Sequence, residues 1–97
     1  MQDEIFEWDD LKAAANLTKH GISFEEARTV FEDAFAITIE DTAHSDFEER
    51  SVTIGLSLIS RILLVIHADR GDRIRIVSAR KATPSERDQY ESQRYGG

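Results

Sequence analysis

Residues 73–90 read RIRIVSARKATPSERDQY and contain a strand, a basic corner and the start of a helix. The alternation of Arg and Ile predicts a β-strand over Arg73–Ala79 with its isoleucines directed toward the core. The tetrapeptide Thr83-Pro84-Ser85-Glu86 has the spacing of a capping box with Pro at the first helical position, which predicts a helix running toward Tyr95. A strand followed directly by a capped helix therefore forms the C-terminal part of the fold.

Upstream of this segment, apolar residues repeat with the period of two that is typical of strands. The alternation from Phe35 to Ile39 predicts one strand, and the alternation from Val52 to Leu58 predicts a second. The run Ile62–Ile66 is apolar on both faces, so it predicts a central strand covered on both sides. Residues 69–72 contain Gly and Asp and predict a hairpin loop, whereas residues 42–49 are polar and predict a longer loop.

The N-terminal part predicts a short edge strand, Ile5–Trp8, followed by two helices. Asp9 or Asp10 can cap the first helix, and Gly21 can end it. Ser23 opens the second helix with a capping box. The expected inner face of the first helix consists of Leu11, Ala14, Ala15 and Thr18.

The predicted order is strand–two helices–four-stranded antiparallel meander–C-terminal helix. Short connections between the last four strands favour antiparallel pairing, and the fold class is therefore α+β. No repeat, low-complexity stretch or linker interrupts residues 1–97, which predicts a single domain.

The composition is that of an ordinary globular protein, with 40% hydrophobic and 32% charged residues. The chain lacks cysteine, a basic N-terminal region and an apolar run long enough to span a bilayer. These features predict a cytoplasmic protein that does not associate with a membrane. The net charge of −7 argues against general coating of nucleic acids, which requires a broadly basic face.

The charge is unevenly distributed along the chain. Residues 1–69 carry a net charge of −10, and residues 70–97 carry +3. Regular alternation places Arg73 and Arg75 on one face with Val77 and Ala79, next to the corner formed by Arg80 and Lys81. The cluster has two interpretations, a solvated outer face or a site for phosphate, to which arginine's planar fork is suited.

Other candidate residues are open to two interpretations in the same way. Glu49 and Arg50 form either a surface ion pair or part of a site with the last strand. His44 is the most plausible working histidine, but it can equally be a simple loop residue. Tyr90, seven residues after Thr83, is either a structural residue of the last helix or a base-stacking or acid/base group, because its helix begins beside the basic corner. No established spacing of metal ligands, Gly-rich phosphate loop or nucleophile elbow is present, so no metal or cofactor is expected.

Three groups of residues, in order along nearly the whole chain, resemble the signatures of the BrnT toxin family. The middle group is His44-Ser45, Glu49-Arg50 and Gly55. The N-terminal group is Phe6-Glu7-Trp8-Asp9, Lys12, Asn16 and Lys19-His20-Gly21-Ile22-Ser23-Phe24-Glu25-Glu26-Ala27, and the C-terminal group is residues 73–83 with Glu86-Arg87 and Tyr90.

The resemblance implies a RelE-like fold and a ribonuclease toxin of a bacterial type II toxin–antitoxin pair. It also implies a BrnA-like antitoxin that binds the toxin and carries the DNA-binding part, so that the chain meets DNA only indirectly. The corresponding hypothesis is metal-independent RNA cleavage that inhibits translation and growth. Cations would stabilise the phosphate, and a further group would transfer protons. The cationic residues are Arg50, Arg75, Arg80 and Lys81, and the candidates for proton transfer are Glu49, His44 and Tyr90.

Two features depart from this family pattern. Ribonuclease toxins of the wider fold are commonly basic, whereas this chain is acidic. An apolar turn, Leu58-Ile59-Ser60, stands where a polar turn is expected between two strands. The alternative function is a non-enzymatic partner-binding or regulatory module that uses the basic C-terminal strand.

Overall fold

The computed structural model describes residues 1–41 and 49–96. Within that part, five strands and three α-helices are present, and a 3₁₀ turn, Thr29–Glu32, follows the second helix. The elements in chain order are β1 (Phe6–Glu7), α1 (Asp10–His20), α2 (Phe24–Arg28), β2 (Ile37–Asp41), β3 (Arg50–Leu56), β4 (Ile62–Arg70), β5 (Arg73–Lys81) and α3 (Pro84–Tyr95). The predicted α+β class is confirmed.

The five strands form one mixed sheet in the order β1-β5-β4-β3-β2. The neighbouring strands from β2 to β5 pair antiparallel, and β1 adds to the outer edge of β5 in parallel. The apolar run Ile62–Ile66 lies in the central strand β4, as its composition predicts. The predicted edge strand, Ile5–Trp8, is reduced to two paired residues.

Each face of the sheet carries its own hydrophobic cluster. Helices α1 and α2 cover one face, and its cluster includes Phe6, Trp8, Ile22, Phe24, Ala27, Val30, Leu63, Val65, Ile76 and Ala79. Helix α3 covers the other face through Tyr90, which packs with Ile54 and Leu64. We call these the α1/α2 face and the α3 face.

The predicted inner face of α1 is wrong. Leu11 is 83% exposed, and the other three residues of that stripe are also exposed. Asn16 is the buried residue of this helix, and Ala13 packs against the core beside it. Because α1 is held to the sheet by a polar residue, its orientation does not follow its hydrophobic periodicity.

Asn16 replaces a missing strand at the edge of β5. Its Oδ1 accepts a hydrogen bond from the Ala79 amide at 3.1 Å, and its Nδ2 donates to the Ala79 carbonyl at 2.9 Å. The same Nδ2 donates to the Ile22 carbonyl at 2.9 Å. One side chain thus pairs three backbone groups that would otherwise be buried without partners.

The alternation in β5 is broken by a β-bulge. Ile66 pairs with Ser78, but the next residue of β4, His67, pairs with Ile76, so Val77 is the extra residue. Consequently Ile76 and Ala79 lie on the same face, in the α1/α2 cluster. The prediction that Ala79 shares a face with Arg73 and Arg75 is therefore wrong.

The predicted helix ends are largely confirmed. Asp9 caps α1, and Gly21 ends it in the left-handed region with φ +70°. Thr83 and Glu86 form a complete capping box at α3. Ser23 caps α2, but the Glu26 carboxylate turns to Ser57 and Arg61, which fastens α2 to the turn between β3 and β4.

The predicted strand ending at Leu58 is shorter than expected. Strand β3 ends at Leu56, and Leu58 lies in the following turn with 73% of its surface exposed. Ser60 closes this turn with φ +65°, a left-handed conformation that is uncommon outside glycine. Within the described part of the chain, no helix is long and apolar enough to span a membrane.

Candidate functional site

Arg50 and Arg75 flank Ala68 on one face of the sheet. Ala68 of the central strand pairs with Arg50 of β3 on one side and with Arg75 of β5 on the other. Paired residues of neighbouring strands point to the same side, and two strand spacings separate the arginines by about 10 Å at their Cα atoms. Both arginines are half-buried. This pair, which we call the arginine row, brings together two cations from distant parts of the sequence.

Glu7 orients one arginine of this row. Its carboxylate lies 2.8 Å from the Arg75 guanidinium, and the two residues are paired by the parallel contact between β1 and β5. The side chains are 17% and 27% exposed, respectively, so the ion pair lies at the rim of the sheet rather than in the core. Because this contact uses Nη1 of Arg75, other N–H groups of the same guanidinium can bind a ligand.

The bulge at Val77 places Arg80 on the same face as Arg75. Arg80 pairs with Leu64, four residues before Ala68 in β4, and residues an even number apart in a regular strand share a face. Four residues of strand correspond to about 13 Å. If β5 were regular over all its residues, Arg75 and Arg80, which are five residues apart, would point to opposite faces.

Arg80 forms a bidentate ion pair with Glu86. The two guanidinium nitrogens lie 2.8 and 3.0 Å from the carboxylate oxygens, and Glu86 also accepts from the Thr83 amide. The hydrogen bonds from Arg80, more than any other contact, lower the pKa of Glu86 from 4.5 to about 2. The pair therefore couples the basic corner to the start of α3.

This coupling predicts a specific dependence of stability on pH. Because the pKa of Glu86 is lower in the folded than in the unfolded chain, its contribution is complete above pH 4.5 and is lost as the pH falls toward 2. In Glu86→Gln, the free energy of unfolding should be lower than in the original chain at neutral pH, and the difference should shrink over that acid interval. Urea unfolding at a series of pH values measures this difference in the free energy of unfolding.

Glu91→Gln is the matched control, since Glu91 is exposed on the same helix and makes no ion pair within residues 49–96. A difference that stays constant down to pH 2 for Glu86→Gln would contradict the coupling.

Tyr90 is 1% exposed and lies in a closed polar network. Its hydroxyl donates to Asp33 at 2.5 Å and accepts from Arg94 at 2.7 Å. Burial, reinforced by the Asp33 carboxylate, raises the pKa of Tyr90, so the hydroxyl keeps its proton. The geometry accounts for Tyr90 as a link between α3 and the sheet and does not direct it toward the arginine row.

The remaining sequence candidates are distributed over both ends of the sheet. Glu49 is exposed immediately before Arg50, at the arginine row. Lys81 is exposed at the opposite end, where β5 finishes. His44 lies outside the described residues.

His67 is buried under the sheet on the α1/α2 face. Its Nε2 lies 2.7 Å from the Thr53 hydroxyl, and its ring packs edge-on against Phe31. Burial lowers the pKa of His67, which favours the neutral ring at neutral pH. These contacts give His67 a structural role in the packing of this face.

Sequence reasoning missed the two carboxylates that hold the basic residues. Glu7 could not be predicted as a partner of Arg75, because nothing in the sequence shows that β1 pairs with β5. Glu86 carried a usable signal, since its place in the capping box brings it back to the end of β5. That signal predicts the helix cap, but it does not predict the ion pair that Glu86 also forms with Arg80.

Comparisons with known proteins identify the family. Residues 8–86 match the model described as the ribonuclease toxin, BrnT, of type II toxin–antitoxin systems. The chain belongs to the BrnT family. It is similar in structure to the Brucella abortus ribonuclease toxin BrnT, known from a 1.1 Å crystal structure, with a TM-score of 0.64 and 24% sequence identity over 81% of this chain and 97% of that chain. A comparison with curated protein sequences gave no match.

Membership of the BrnT family confirms the resemblance found in the sequence. It also means that a cognate antitoxin is the expected protein partner. The matched range includes both arginines of the row, the basic corner and the first residues of α3.

Proposed function

We propose that this chain is an endoribonuclease of RelE-like fold that cleaves RNA without a metal ion. In this proposal it acts in the cytoplasm, inhibits translation and growth, and is neutralised by a BrnA-like antitoxin that carries the DNA-binding part. The observation that supports it most is the arginine row within a chain of the BrnT ribonuclease family. Two guanidinium groups about 10 Å apart at their Cα atoms can converge on one phosphate between them.

The proposed reaction uses the substrate's own nucleophile. The 2′-hydroxyl oxygen attacks the adjacent phosphorus, the bond from phosphorus to the 5′-oxygen of the next nucleotide breaks, and the products are a 2′,3′-cyclic phosphate and a 5′-hydroxyl. One proton leaves the 2′-hydroxyl and another reaches the departing oxygen. Arg50 and Arg75 stabilise the charge that grows on the phosphate oxygens, which is the role that requires fixed cations.

Glu49 and His44 are the two candidates for proton transfer, since both lie in the sequence just before Arg50. Arg80 is a further cation on the same face, paired with Glu86. We do not assign proton transfer to Tyr90, because its buried hydroxyl is already committed to Asp33 and Arg94.

Cleavage of a defined RNA in the presence of a chelator tests this mechanism. We expect the rate to be unchanged by EDTA, and we expect a single 2′-deoxy nucleotide to abolish cleavage at its own 3′ side only, because the nucleophile is missing there. Loss of cleavage with EDTA, or cleavage 3′ to the deoxy position, would contradict the mechanism. Binding of the RNA without any cleavage would favour the non-enzymatic module instead.

A further inference from the structure

A basic pocket lies at the end of the sheet opposite to the arginine row. The turn between β3 and β4, the end of β5 and the first turn of α3 meet there around a pocket of about 390 Å³. Its lining consists of Ser60, Arg61, Ile62, Lys81, Ala82 and Arg87. This volume is in the range of small-ligand sites.

The lining contains three cations and no carboxylate, in a chain with a net charge of −7. Among residues 1–41 and 49–96, neither Lys81 nor Arg87 forms an ion pair. Arg61 is paired with Glu26, whose charge also acts on Lys81, so the net excess of positive charge at the pocket comes from Lys81 and Arg87. An anion bound there would offset this excess, and the pocket is therefore electrostatically suited to an anion.

Arg61 lines this pocket and is held by several hydrogen bonds. Its Nε donates to Glu26 at 2.9 Å, and its Nη2 donates to the same carboxylate and to the Gly21 carbonyl. These contacts leave Nη1 without a partner among the described residues. A guanidinium fixed on one edge can present its remaining N–H groups to a ligand without losing further side-chain freedom.

The turn that carries Arg61 is fixed as well. The Ser57 hydroxyl donates to Glu26 at 2.7 Å, and the Leu58 amide donates to the Thr29 hydroxyl at 3.0 Å. Ser60 lines the pocket from its left-handed position. Uncommon backbone conformations that are held in place by surrounding contacts occur often at ligand-binding sites.

The pocket is too far from the arginine row to bind the same phosphate. Lys81 follows Arg75 by six residues in β5, which corresponds to about 20 Å of strand, or slightly less because of the bulge. An anion bound in this pocket must therefore be a different group from a phosphate bound by the arginine row.

We propose that this pocket is a second phosphate site, which binds the backbone of single-stranded RNA several nucleotides away from the cleaved bond. The inference rests on the proposed function. It assigns Lys81 to substrate binding, together with Arg61 and Arg87, rather than to the reaction itself. Phosphate contacts of this kind position a strand without reading its sequence.

The variant Lys81→Gln/Arg87→Gln tests the proposal, since both side chains are exposed and their loss breaks no ion pair in the described part of the chain. Lys12→Gln/Lys19→Gln on α1 is the matched control, because it removes the same two charges from exposed positions outside the pocket. Arg61 is left intact because its removal would leave Glu26 unpaired.

With a 12-nucleotide RNA, we expect the pocket variant to raise KM at least tenfold and to change kcat less than threefold. With a trinucleotide, which cannot reach both sites, KM should be unchanged. Two phosphate contacts fewer should also lower the slope of log affinity against log salt by about 1.4. The control variant should match the original chain in all three measurements. An equal effect in the control, or an unchanged KM for the 12-mer, would overturn the phosphate site.

Binding of a fluorescent 12-mer that carries 2′-deoxy nucleotides separates this proposal from the proposed function, because it requires no cleavage. If the chain cleaves no RNA but the pocket variant alone loses affinity, the phosphate site stands and the reaction fails. If RNA affinity is unchanged while affinity for the antitoxin falls, the pocket is a protein-binding site and the proposal is overturned.

Discussion

Replacement of both Arg50 and Arg75 by Ala is expected to reduce the rate of RNA cleavage at least 10³-fold. The two guanidinium groups are assigned to the charge that develops on the phosphate, and removal of a single fixed donor of this type commonly costs about 10²–10³ in rate. Since the groups act on one phosphate, their effects should not simply multiply. Single-turnover cleavage of a defined RNA measures the loss.

Arg50→Lys/Arg75→Lys is the informative companion variant. It keeps both charges but removes the planar fork, so its cleavage rate should lie between those of the original chain and the alanine variant. Far-UV circular dichroism and urea unfolding must show that both variants remain folded. A folded alanine variant that cleaves RNA within threefold of the original rate would remove the arginine row from the active site.

The substitution Arg80→Ala affects a different contact from the substitutions of Arg50 and Arg75 in the arginine row. It breaks the bidentate pair with Glu86, so part of its effect acts on the start of α3. Arg50→Ala with Arg80→Ala should lower the cleavage rate by at least about 10²-fold, because it removes one member of the row. The stability of that variant should fall, whereas Arg50→Ala alone keeps the Arg80–Glu86 pair.

Asn16→Ala is expected to lower the free energy of unfolding by about 3 kcal/mol. Three backbone groups, the Ala79 amide, the Ala79 carbonyl and the Ile22 carbonyl, lose their partner, and a buried unpaired group commonly costs about 1–3 kcal/mol. Such a loss is a large share of the 5–15 kcal/mol that stabilises a typical domain. Urea unfolding of the two proteins measures it.

Thr18→Ala is the control for this experiment, because Thr18 lies on the exposed face of the same helix and its loss should change stability by less than about 0.5 kcal/mol. Asn16→Asp keeps the size of the side chain but places a carboxylate against two carbonyl groups, so it should destabilise the protein at least as much. A change of less than 1 kcal/mol for Asn16→Ala would mean that other groups close this edge of the sheet.

The sequence predicted those parts of the fold that depend on local signals. Periodicity located the strands and helices, and the residues at the caps, such as Asp9 and Thr83, located helix ends. It failed where a long-range contact decides the outcome. The stripe beginning at Leu11 faces solvent because Asn16, through its bonds to Ala79, fixes the orientation of α1.

The candidate site was predictable as a set of charges but not as an arrangement. The excess of positive charge predicts that Arg75, Arg80 and Lys81 belong to a site. The sequence alone does not show that Arg75 and Arg80 share a face, or that Lys81 lines a separate pocket. The partner of Arg75 lies 68 residues away in β1. Pairings across such separations depend on the order of strands in the sheet, which local patterns do not specify.

The extra residue in β5 has a consequence for how this chain can change over evolutionary time. Deletion of Val77 would remove the bulge and make Ile76 and Ser78 neighbours in a regular ladder opposite His67 and Ile66. Ala79 would stay in the hydrophobic cluster and Arg80 would stay on the α3 face, because their pairing with Val65 and Leu64 is unchanged. A single-residue deletion should therefore be tolerated better at Val77 than at Ile74, where it would turn the residues before it to the other face.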